Sequence, residues 1–167
     1  MRVLPFLSLI TCAACVACSQ QPGGNAGAAA TGNGVAPSES AKSPAAREAQ
    51  ALARQYMTLV NAGKYGEARA MWGHGGADVG GSAADFASSF DSFSSYVGEI
   101  GDPTDITTTG DEQFVAVAAK ANVTLRKSGD KRILVGLIRF RRPTKAVGKD
   151  PNSAKWTIWA VDLRRPH

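Results

Sequence analysis

Hydrophobic and polar positions along this chain change rhythm three times. Residues 3–16 form an almost unbroken apolar run, closed by Cys15-Val16-Ala17-Cys18. Residues 20–42 are rich in Gly, Ala, Ser, Asn and Pro, with no bulky apolar residue except Val35. From Ser43 a helical period takes over. Ser43-Pro44 supplies an N-cap followed by proline at the first helical position. Ala45, Ala49, Leu52, Tyr56, Leu59 and Val60 then recur at steps of three and four, predicting a helix that ends at Gly63. Tyr65, Ala68, Met71 and Trp72 predict a second, short helix, stopped by Gly73-His74-Gly75-Gly76. A third is predicted from Ser82, which forms a capping-box pattern with Asp85, and its stripe is Phe86, Phe90, Phe93 and Val97. Gly98, Gly101 and Pro103 read as breaks. Beyond Ile106 the period is two, predicting a short strand over 105–109 and long strands over 114–125, 132–142 and 156–163. Lys127-Ser128-Gly129-Asp130 is a hairpin turn. The fold class is therefore α+β, with three N-terminal helices packed on a curved antiparallel sheet of four to six strands. Val115, Val117, Ala119, Val123, Leu134, Ile138 and Phe140 are expected to face the helices. The opposite face is expected to carry Phe114, Ala116, Ala118, Ile133, Val135, Leu137, Trp159, Val161 and Leu163.

Arg2 before the first apolar run, and small residues at its end, give the layout of a secretory signal. The run is shorter than the roughly 20 residues needed to cross a bilayer, which favours cleavage over retention. Because it ends in Cys18, followed by Ser19-Gln20-Gln21-Pro22, it resembles a bacterial lipoprotein signal. That resemblance implies a signal peptide over 1–17, acylation of Cys18, and a protein held by its lipid in the cell envelope. Ser19 after the cysteine implies the outer membrane, facing the periplasm. An ordinary cut after Ala17 would instead release a soluble secreted protein. Residues 18–42 then form a tether with a reach on the order of 25 Å, and 43–167 the domain.

Composition narrows the chemistry. All three cysteines lie at or before the cut, so the domain has no disulfide, cysteine nucleophile or thiolate metal site. Up to Glu112 there are 6 Lys and Arg against 11 Asp and Glu; from Gln113 on there are 13 against 3. Arg139, Arg141, Arg142, Lys145 and Lys149 crowd one strand end and the following loop. They form a basic patch suited to an anionic envelope surface or protein partner, or else a solvated rim. No stacking pattern points to nucleic acid.

The helix-turn-helix opening Asn61-Ala62-Gly63-Lys64-Tyr65-Gly66-Glu67-Ala68, leading to Trp72, and the closing Lys155-Trp156-Thr157-Ile158-Trp159 are similar to those of the nuclear transport factor 2-like, or cystatin-like, cone fold. Over residues 43–165 the chain resembles uncharacterised Gram-negative lipoproteins of that superfamily. The resemblance implies either a non-catalytic binding or scaffold module, or an isomerase- or dehydratase-like enzyme or carrier for a small apolar molecule in the cone. For catalysis, His74 with Asp78 four residues on is the one candidate pair, and the surrounding glycines predict a mobile loop unsuited to holding it. One such histidine does not make a metal site, and no motif calls for a cofactor. Tyr56, Trp72, Phe90, Ile138, Phe140 and Trp156 are candidates to line a pocket, with a filled core as the alternative. The apolar outer sheet face points to a homodimer, with Lys120 and Arg139 at its rim.

Overall fold

A computed structural model describes residues 39–146 and 151–166. The signal segment, Cys18, most of the tether, Lys149 and His167 lie outside them. Helices α1 (Pro44–Asn61), α2 (Tyr65–Ala70), α3 (Gly73–Gly76) and α4 (Ala83–Ser88) precede strands β1 (Phe93–Pro103), β2 (Thr107–Thr109), β3 (Glu112–Leu125), β4 (Lys131–Pro143) and β5 (Thr157–Arg164). A helix-rich N-terminal region packs on one five-stranded antiparallel sheet of order β1-β3-β4-β5, with β2 paired to the start of β3.

Helix α1 starts as its sequence dictates: the Ser43 hydroxyl accepts from the Ala46 amide at 3.1 Å, and Pro44 opens the first turn. It ends in a left-handed Gly63, with the Lys64 amide bonded back to the Leu59 carbonyl. Its buried stripe is Ala46, Ala49, Ala53, Tyr56, Met57 and Val60. Ala45, Leu52 and Leu59, expected on that stripe, lie at its margin, packed against the core. The small residues allow α1 to sit close on β1. There Gly98 is required, because a Cβ at this position would lie 2.6 Å from the Met57 Cε. Gly98 and Gly101 therefore do not break the chain; they let a continuous β1 run beneath a helix and beside Ala118. The fold also begins before Ser43, since Glu39 exchanges backbone hydrogen bonds with Ile106 and the Ala41 amide donates to Asp105.

The third helix is shorter than its phenylalanine spacing predicts. Its capping box is formed, with Ser82 accepting from the Asp85 amide and Asp85 accepting from the Ser82 amide at 2.7 Å. It stops at Ser88, where the hydroxyls of Ser88 and Ser89 turn back to the carbonyls of Asp85 and Phe86. A run of Ser and Asp offers the backbone such local alternatives to a helix. Phe93 and Val97 consequently lie on β1, and the aromatic spacing serves a cluster instead. Phe90 stacks on Tyr65 at 5.0 Å and meets Phe86 and Tyr96 edge-on.

Strands β3 and β4 pair without interruption from Glu112↔Pro143 to Thr124↔Lys131. Val115, Val117, Ala119, Val123, Ile138 and Phe140 are buried under the helices, and Leu134 packs at the edge of that core. On β5 the alternation fails at a bulge between Arg139 and Phe140, where Ala160 and Ile158 are the successive partners. The extra residue shifts the phase, so Val161 pairs with Ile138 and Leu163 with Gly136, and both pack against the core rather than on the outer face. The outer face keeps Phe114, Ala116, Ala118, Ile133, Val135, Leu137 and Trp159, but at β5 it turns to Ala160, Asp162 and Arg164.

Candidate functional site

Five of the six residues expected to line a pocket lie in the core: Tyr56, Trp72, Ile138, Phe140 and Trp156 are buried. Phe90 is half-buried and borders only a surface cleft of about 260 Å3 beside α1's C-terminus. The Trp156 indole donates to the Ala45 carbonyl at 3.1 Å, tying the start of β5 to the start of α1. No charged or polar side chain is buried among the described residues. Burial raises the Tyr56 hydroxyl above its ordinary value and pushes Tyr96 up to about 12, as a dry interior does to an ionisable phenol.

Polar chemistry collects outside this core, around the segment after α2. Here the chain lies along β5, with the Ile158 amide donating to the Met71 carbonyl, and then coils sharply. His74 adopts left-handed φ 54° and ψ 39°, followed by left-handed Gly75 and Gly76. For a residue with a Cβ this is an unfavourable conformation that its surroundings must impose. Gly73 and Gly76 are closely packed in the coil, whereas Gly75 and Gly80 have open space around them. A Cβ on Gly73 would fall 2.0 Å from the Asp78 carboxylate, and one on Gly76 would fall 2.7 Å from the Arg69 carbonyl.

The coil brings His74 and Asp78 together, with Nδ1 to Oδ1 at 2.7 Å. From 63 residues further along, Arg141 donates through Nη2 to the other oxygen, Oδ2. The hydrogen bond from His74, with the Arg141 guanidinium beside it, holds the Asp78 carboxyl below its usual range. Ionised Asp78 requires Nδ1 to be the donor, which leaves Nε2 pointing away from the pair on a ring that is 77% exposed.

An open cleft of about 600 Å3 adjoins this triad, lined by Gly73, His74, Glu112, Arg141, Arg142, Lys155 and Thr157 among others. The Arg142 guanidinium lies 4.4 Å over the Trp156 ring and donates through Nε to Gln113 at 2.8 Å. Of the described residues of the basic patch expected from sequence, Arg141 and Arg142 line this cleft. Arg139 is on the outer face, 4.0 Å from Asp162, and Lys145 is exposed in the loop after β4. Glu112, Lys155 and Thr157 were not singled out by sequence. The register Glu112↔Pro143 and Arg141↔Thr157 places them at one end of the sheet, and only strand pairing reveals it. Among the described residues, no group of His, Cys, Asp and Glu could hold a metal ion.

No protein-family model and no curated protein matches the chain. Among solved structures it is similar to the Kfla4162 protein from Kribbella flavida, with a TM-score of 0.52 at 14% identity, covering 74% of this chain and 91% of that one. A likeness at this identity speaks to the fold alone.

Proposed function

We propose that this chain is a lipid-anchored cell-envelope protein whose domain, a nuclear transport factor 2-like cone with three main N-terminal helices, acts as a non-catalytic binding module. The observation that carries the reading is the buried apolar interior of the described residues. An isomerase or dehydratase of the cone type needs an ionisable group facing a cavity, whereas here the inward positions among the described residues are aliphatic or aromatic and buried together, and the Tyr56 phenol among them is kept neutral by burial. The anchor rests on the apolar run closed by Cys18. Metabolic labelling with palmitate tests it: the wild-type protein is expected to take the label and sediment with membranes, and Cys18→Ser to remain unlabelled and soluble. A Cys18→Ser protein that keeps its label and its membrane partition removes the anchor from the account.

A second element of this reading is self-association through the outer sheet face. Ile133, Val135 and Trp159 are 47%, 39% and 43% exposed there, and Trp159 packs edge-on against Phe114. The face carries Glu99 and Lys120 on the β1–β3 side and Arg139, Asp162 and Arg164 on the β4–β5 side. Each side holds both signs, so a two-fold pairing that lays the β1 side over the β5 side of a second copy sets acid over base around an apolar centre. Light scattering is expected to give twice the monomer mass, falling to the monomer mass in Leu137→Glu. A wild-type monomer at high concentration contradicts the pairing.

A further inference from the structure

We propose that the β3–β4 hairpin end of the domain, with the aromatic cleft beside it, is a docking site for a glycan that carries carboxylate groups. The proposal rests on the binding-module reading and names its ligand class.

Four strand ends meet there: β1 begins at Phe93, β3 closes at Leu125, β4 opens at Lys131 and β5 ends at Arg164. The turn from β3 into β4 carries Arg126, Lys127, Lys131 and Arg132 against one carboxylate, Asp130, which pairs with Arg132 at 3.0 Å. Lys127 and Lys131 are exposed and make no ion pair among the described residues. Arg126 is fixed rather than paired. Its Nε donates to the Asp91 carbonyl at 2.9 Å and its Nη2 to the Phe93 carbonyl at 2.8 Å. Both acceptors are neutral, and the Asp91 carboxylate forms no ion pair with it, so the guanidinium keeps its charge and the hydrogens of Nη1 for a ligand.

The cleft of about 260 Å3 that Arg126 borders has no acidic lining residue. The rings of Tyr65, Phe90, Phe93 and Tyr96 lie half-buried along it, packed on one another so that their orientation is set. Asn61 and Ser95 line it too, and neither side chain makes a hydrogen bond among the described residues. Apolar ring surface beside an unspent amide, hydroxyl and guanidinium matches a sugar unit, whose C–H face packs on a ring while its hydroxyls and carboxylate take the polar groups. A lipid headgroup offers the charge but no such face to the rings.

Connectivity gives this surface its setting. Glu39 joins the fold at Ile106, beside the Thr107↔Phe114 pair at the other end of β3. From Phe114 to Leu125 that strand spans roughly 35–40 Å. Chain arriving from an anchor at Cys18 thus meets the end of the sheet opposite the hairpin, which leaves the hairpin open to a second envelope surface, a carboxylate-bearing wall glycan.

Co-sedimentation of the full-length protein with purified peptidoglycan sacculi, in neutral detergent at low salt, tests the site. Saturable binding is expected, and chemical amidation of the sacculus carboxylates should weaken it about tenfold. Arg126→Gln should do the same, as loss of one charge-assisted contact does. Because Arg126 also ties two carbonyls, exposed positions test the site without disturbing the fold: Asn61→Asp, which sets a carboxylate in the cleft, and Lys127→Glu combined with Lys131→Glu should each weaken binding about tenfold, and by less at high salt. Lys145→Glu, in the loop at the other end of the sheet, should leave it unchanged. No binding to sacculi, binding indifferent to amidation, or equal weakening by Lys145→Glu overturns the site. Phosphatidylglycerol vesicles that bind more tightly than sacculi, and lose that binding in the same variants, overturn the glycan in favour of a lipid surface. Neither result bears on the palmitate test of the anchor or the tryptophan test of the interior, so failure here is told apart from failure of the binding-module reading.

Discussion

Gly136→Ala is expected to destabilise the domain by ~3 kcal/mol or more, lowering its melting temperature by roughly 10 °C or beyond. Gly136 sits in the middle of β4, and a Cβ built there would fall 1.8 Å from the Asp162 carbonyl oxygen on β5. The obstacle is backbone, so no side-chain rotation relieves it, and β4 and β5 must separate along part of their pairing. That pairing sets the phase of β5 beyond its bulge and so the inward placement of Val161 and Leu163. Thermal unfolding followed by circular dichroism reads the effect; a midpoint within about 2 °C of wild type would show that the strands approach less closely than described.

Phe140→Ala is expected to cost about 3–5 kcal/mol. Phe140 is fully buried on the same strand, with Val115 and Ile158 as its cross-strand neighbours. Truncating it removes a large apolar side chain from water-free contact and leaves a cavity walled by a sheet and a helix that cannot readily collapse. Urea unfolding should show a lower midpoint with an unchanged slope. A loss below about 1 kcal/mol would mean that the space around Phe140 is already loose, and with it the case for a filled interior.

Much of the fold could be read directly from residue pattern. Ser43, Ser82 and Asp85 marked helix starts by local chemistry that needs no tertiary context, and the alternation along β3 and β4 placed their buried faces. The failures share a cause. Gly98 and Gly101 look like breakers because glycine weakens a lone strand, but here they make room for Met57 and Ala118, a requirement set by other elements. Phe93 and Val97 fit a helical period as well as they fit a strand whose aromatic neighbours come from elsewhere. The bulge that turns Val161 and Leu163 inward is a property of the β4–β5 pair and leaves no mark on β5 alone.

The candidate site divides in the same way. His74 and Asp78, four residues apart, are visible as a pair in sequence. Their third partner, Arg141, and the cleft residues Glu112 and Lys155 arrive through strand register over long separations. Among the glycines around His74, Gly73 lies close against Asp78 and Gly76 against Arg69, which composition does not reveal.

Whether the interior is filled or holds a ligand pocket is reported most directly by the protein's own tryptophans. Of the three, Trp72 and Trp156 are buried and Trp159 is on the outer face. In Trp159→Phe, titration with the neutral apolar dye Nile red is expected to leave the emission of Trp72 and Trp156 without saturable change. Saturable quenching of that emission would place the dye among Tyr56, Phe140 and Trp156, and would contradict a non-catalytic module with a closed core.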